Sequence, residues 1–129
     1  MIEGLISVIS SIIIGVILFQ SLIIAPAVTK VVNKKDSSKF LRLIWPKFFL
    51  IISCLSLINV LLFFLFNIDN WTILYLNISS FFIMFFCYLI TPTINNFKDN
   101  SNEKIWSYLH FLTIILTIFT LIVNVIIIL

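Results

Sequence analysis

His110 is the single histidine of this chain, and Met84, Cys87 and Cys54 are the soft donors that would join it in a copper(I) site. Met84 and Cys87 stand three residues apart and so share a helix face, but Met and Cys at that spacing are usually packing residues. A lone imidazole about one and a half turns inside a helix end more often bonds a neighbouring carbonyl than holds a metal. Haem ligated by two histidines is excluded by the count of one. There is no nucleophile with its base and there are no paired carboxylates. With only Gly4 and Gly15, a phosphate-cradling loop is out of reach. These residues predict no enzyme, no catalytic side chain, no metal site and no bound cofactor.

Uncharged polar residues carry the remaining pattern. His110, Thr113, Thr117, Thr120 and Asn124 recur at steps of three and four, as one stripe of an α-helix does. Asn77, Ser80, Met84, Cys87 and Thr91 follow the same rule, and Ser53, Ser56 and Asn59 make a shorter stripe. Ser7, Ser11 and Gly15 form a small-xxx-small series that lets helices approach closely. The plain expectation for the stripes is interhelical hydrogen bonding, worth about 0.6 kcal/mol per bond. The sharper one is a polar path or ligand cavity lined by Asn77, Ser80, Cys87, Thr113, Thr117 and Asn124. No Asp, Glu, Lys or Arg lies mid-run, where a proton-driven carrier would normally show one.

The elements that position these stripes follow from composition. The chain is 62% hydrophobic and 10% charged, with a mean hydropathy of +1.25. A chain of 129 residues with that balance needs lipid as solvent. Spans of roughly 20 residues fit at 5–28, 43–66, 71–91 and 105–129. The expected fold is all-α: a single-domain, four-helix transmembrane bundle running up-down-up-down. Ala25, Pro26 and Ala27 mimic a signal-peptide cleavage site, but the first run is too long and carries Glu3 in place of a basic start. Counting about 1.5 Å per residue from the short 67–70 turn puts Asn59 and Asn77 at one level, which predicts a hydrogen bond between them.

The basic residues are Lys30, Lys34, Lys35, Lys39, Arg42 and Lys47 around the first gap, and Lys98 and Lys104 in the third. The second gap offers only Asp69. Cytoplasmic loops collect Lys and Arg, so the first and third gaps are expected inside and both termini outside the cytoplasm. The net charge of +3 suits anionic lipid headgroups, at about 1 kcal/mol per well-placed cation, and nothing suggests nucleic acid. Asp99 and Glu103 beside Lys98 and Lys104 read as a screened network within the loop. Asp36 is placed to cap an interfacial helix that turns into the second span near Pro46, and Asn100 with Glu103 to cap the fourth.

Gly15 and Phe19 before Ala25-Pro26, then Phe40 and Arg42 before Trp45-Pro46-Lys47-Phe48-Phe49, resemble the first half of a bacterial four-helix family of unknown function. Its eukaryotic relatives are the transmembrane protein 205 family. Thr91-Pro92-Thr93-Ile94-Asn95-Asn96 with Lys98-Asp99, and Leu109-His110 with Thr113, are similar to its later motifs, so that the resemblance covers nearly the whole chain. The chain departs from the family at Phe111 and Leu116. More distantly the pattern resembles copper-resistance membrane domains and the haem-linked protoporphyrinogen oxidase family, which depend on histidines in early helices. None precedes His110 here, so neither chemistry carries over.

The shared motifs mark one end of the bundle as the candidate functional face: Pro26, Trp45, Pro46, Pro92, Lys98, Asp99 and His110. The expected role is a non-enzymatic interaction or accessory module of the bacterial cytoplasmic membrane, whose partners are anionic headgroups and either a second copy or another membrane protein. A small oligomeric transporter or permease is the first alternative, and a copper- or haem-handling protein the second.

Overall fold

The computed structural model describes residues 2–129, and four of its helices are long and apolar enough to cross a membrane. The first rod is continuous from α1 (Ile2–Phe19) through a π turn (Gln20–Ile24) into α2 (Ala25–Val31). Then come α3 (Lys34–Leu65), α4 (Trp71–Asp99) and α5 (Glu103–Ile128). No strand occurs among the described residues. The four rods close into a ring in which α1 lies beside α3 and α5, and α4 lies between α3 and α5. Short turns make successive rods antiparallel, as the up-down-up-down reading requires.

The helices outrun the apolar stretches. At 1.5 Å per residue, the 32 residues of α3 reach about 48 Å, against a hydrocarbon core of about 30 Å. Its basic first turns therefore stand beyond the apolar layer, beside the polar end of α4. The interfacial helix expected before Pro46 is not a separate element: α3 runs through Pro46 unbroken, and α4 runs likewise through Pro92. Each proline removes one amide from the ladder, those that would bond the Arg42 and Tyr88 carbonyls, and the turns on either side hold the helix together. Pro26 is accommodated differently. The π turn before it has the Ala25 amide bonded to the Gln20 carbonyl, widening the helix just where the proline ring would meet the Leu22 carbonyl.

Two capping expectations are corrected. Asn33, not Asp36, caps α3: its Oδ1 accepts from the Asp36 amide at 2.9 Å, while its Nδ2 donates to Asp36 Oδ2 at 2.9 Å. The cap moves because the helix starts three residues earlier than the polar pattern suggests. Asn102, without a side-chain cap bond, precedes α5, and Asn100 instead closes α4. Both tight turns are Schellman closures. Asn67 and Ser101 have φ of 50° and 57°, and the Ile68 and Asn102 amides reach back to the Phe63 and Phe97 carbonyls at 3.1 and 2.9 Å.

Two apolar clusters fill the ring, one around Ile13, Ile17, Phe48, Phe49, Ile52, Met84 and Cys87, the other around Ile6, Val123 and Ile127. The first rod buries Ile6, Ser10, Ile13, Ile17 and Gln20, whereas Ser11 and Gly15 are exposed. The small-residue series is thus not the contact face within the chain. Its hydroxyl is satisfied locally, Ser11 Oγ donating to the Ser7 carbonyl at 2.8 Å, and bulkier residues on the opposite stripe fill the bundle better.

Candidate functional site at the basic end

Midway along the bundle the polar stripes meet, and they divide by residue type. Asn59 Nδ2 donates to Asn77 Oδ1 at 3.0 Å, the bond that helix depth predicted, and also to Ser10 Oγ at 3.2 Å. Asn124 Nδ2 donates to Ser80 Oγ at 3.3 Å, so that asparagines tie all four rods together. The threonines do not bond across the bundle as expected. Thr91, Thr113, Thr117 and Thr120 each donate to a carbonyl three or four residues back, at 2.7–2.9 Å. A hydroxyl is short enough to satisfy itself on its own helix, whereas an amide has a second donor to place elsewhere. Asn77, Ser80, Cys87, Thr113, Thr117 and Asn124 are all buried.

The soft donors are not brought together. Cys54 is exposed on the outer face of α3, while Cys87 and Met84 are buried in the core. Among the described residues no three His, Cys, Asp or Glu side chains gather as a metal site would need.

At the basic end the structure brings together residues that are remote in sequence. Arg42 of α3 and Asp99 of α4 form a two-pronged ion pair. The partner of Asp99 is therefore on another helix, not in the loop network expected around Lys98 and Lys104; the length of α3 carries Arg42 to it. Hydrogen bonding from Arg42 holds the Asp99 carboxyl below its usual range. Lys98 Nζ lies 4.8 Å from the centre of the Trp106 ring and 3.5 Å from Ser38 Oγ. Trp106 stacks on His110 with ring centres 5.2 Å apart and planes 8° from parallel. Trp45 stacks on Phe49 at 5.7 Å.

These side chains wall a cavity of about 220 Å³ among α3, α4 and α5, lined by Ser38, Arg42, Trp45, Asn95, Lys98, Trp106, His110 and Thr113 with apolar neighbours. Arg42 Nε is buried and has no partner there. Trp45, Lys98 and His110 of the expected face line this cavity, and Asp99 reaches it through Arg42. Pro26, Pro46 and Pro92 do not line it; they shape the helices that do.

Sequence reasoning missed Ser38, Asn95 and Trp106 as wall residues, and Ser10 as a member of the central layer. Trp106 carried a usable signal, standing four residues before His110 on the same helix face. Ser10 carried a weaker one, as a small hydroxyl on the otherwise apolar stripe of Ile6, Ile13 and Ile17.

A family described as a domain of unknown function (DUF4149) matches residues 8–103. The match takes in three of the four rods and both partners of the Arg42–Asp99 pair. It stops at the start of α5, short of the nearly whole-chain resemblance and short of His110. No curated protein and no solved structure matches the chain.

Proposed function

The chain belongs to the DUF4149 family, and we propose that it is a non-enzymatic accessory or interaction module of a bacterial cytoplasmic membrane that works by binding an anionic group at its basic end. The positive-inside bias supports an orientation with that end in the cytoplasm and both termini outside. The later motifs around Lys98-Asp99 and Leu109-His110 favour kinship with the eukaryotic transmembrane protein 205 family. Lys30, Lys34, Lys35 and Lys39 would draw the module's end toward anionic headgroups in general.

One observation carries the reading: Arg42 and Lys98, set against the single carboxylate of Asp99, leave a positive excess at the cavity. An oxyanion there would meet a guanidinium and an ammonium framed by two tryptophans and an imidazole. Trp45 and Trp106 line the cavity, while Trp71 starts α4 at the other end of the bundle. In Trp71→Phe protein held in detergent, tryptophan emission therefore reports the cavity. Titration with glycerol phosphate is expected to give a saturable change that Lys98→Gln weakens at least threefold. No change on titration, or the same curve in the variant, removes the proposal.

A further inference from the structure

A second cavity, of about 450 Å³, adjoins the first and shares Trp45, His110 and Thr113 with it. Apart from Ser21 and Thr117 its other walls are apolar: Ile17, Leu18, Leu22 and Ala25 from the first rod, Ile114, Ile118 and Leu121 from α5. Leu18, Leu22, Ile114 and Ile118 are among the exposed large hydrophobics, so this groove opens toward lipid along the seam between the two rods. The π turn lies in its wall, contributing Ser21 and Leu22. From His110 to Leu121 the helix rises about 16 Å, close to half of the hydrocarbon core of about 30 Å. The groove is therefore about as long as one leaflet's apolar layer is deep, the length of one extended acyl chain.

We infer that the two cavities form one binding site for a membrane lipid with an anionic phosphate headgroup: the head lies against Lys98 and Arg42, and a chain lies in the groove between the first rod and α5. The inference rests on the reading of the basic end as the working face, and names its ligand. Charge complementarity selects the class. The head would meet Lys98 and Arg42 as cations and Asp99 as the one carboxylate, which is already engaged by the Arg42 fork. A zwitterionic head would bring its own ammonium toward Lys98, and repulsion would weaken it. The shared wall residues suit the junction, since tryptophan rings sit where headgroups meet chains.

The test is native mass spectrometry of the full chain in mild detergent, with phosphatidylglycerol or phosphatidylcholine of identical chains added, and glycerol phosphate as a third ligand. Two variants at exposed positions separate the halves of the site: Lys98→Gln for the head and Ser21→Phe for the groove, with circular dichroism confirming that both remain helical. The expected result is one phosphatidylglycerol per chain, retained at least tenfold better than phosphatidylcholine and at least tenfold better than glycerol phosphate. Lys98→Gln should reduce the headgroup preference, and Ser21→Phe should reduce phosphatidylglycerol retention severalfold. Equal retention of the two lipids, or phosphatidylglycerol retention untouched by Ser21→Phe, overturns the lipid site. Glycerol phosphate binding as tightly as the lipid also overturns it while leaving the anion-binding reading intact. If neither glycerol phosphate nor phosphatidylglycerol binds, both readings fall.

Discussion

Arg42 and Asp99, 57 residues apart in sequence, meet through two parallel hydrogen bonds, Nη1 to Oδ2 at 3.1 Å and Nη2 to Oδ1 at 2.6 Å. The fork fastens the basic end of α3 to the last turn of α4, beside the cavity, and holds the guanidinium plane in place. Arg42→Lys should keep the charge but lose the two-pronged geometry. It is expected to lower the unfolding midpoint slightly and to weaken glycerol phosphate binding more than it weakens folding. A loss of both in equal measure would assign Arg42 to structure alone.

The same pair sets a pH dependence. Asp99 titrates below its ordinary value because Arg42 favours its charged form. The stabilisation is therefore complete above the ordinary carboxylate range and is lost as pH falls through the lowered folded value. Thermal unfolding of the wild type and of Asp99→Asn should differ at neutral pH and converge in acid. A gap that persists below that window would show that the fork is not its source.

Asn59 holds Asn77 and Ser10 at once, so Asn59→Leu removes two bonds between helices and leaves the partners buried. The expected cost is about 1–2 kcal/mol in detergent unfolding, with an Asn59–Asn77 coupling of about 0.6 kcal/mol from a double-mutant cycle. Unchanged folded yield and zero coupling would remove the layer from the account of stability.

Ser101 adopts a left-handed conformation, with φ 57°, that costs a residue bearing Cβ about 1 kcal/mol. Ser101→Gly should stabilise the protein by up to about that amount, and denaturant titration would read it. Destabilisation would mean that the turn between α4 and α5 is not closed as described.

Much of this was legible in the residues, for reasons that differ by element. Hydropathy located four spans because lipid tolerates few alternatives, and a count from the 67–70 turn placed Asn59 opposite Asn77 because helical rise is constant. The length of α3 was less legible: Lys34 to Arg42 precede its apolar run, where polarity no longer distinguishes helix from loop, so the pattern points to Asp36 as the cap and not to Asn33. The burial of Ser10 in place of Ser11 and Gly15 depended on side-chain volumes across four rods, which no single helix reveals. The partner of Asp99 was hidden for a similar reason, since proximity in sequence pointed to Lys98 while the fold brought in Arg42.

The central claim is that the backbone crosses the bilayer four times with its cationic residues on one side. Single cysteines introduced as Lys34→Cys, Lys98→Cys and Asn70→Cys in a Cys54→Ala/Cys87→Ala background, probed in sealed vesicles with a membrane-impermeant maleimide, test it most directly. The account predicts that positions 34 and 98 react from the same side and position 70 from the opposite one. Reaction of positions 34 and 98 from opposite sides would contradict it.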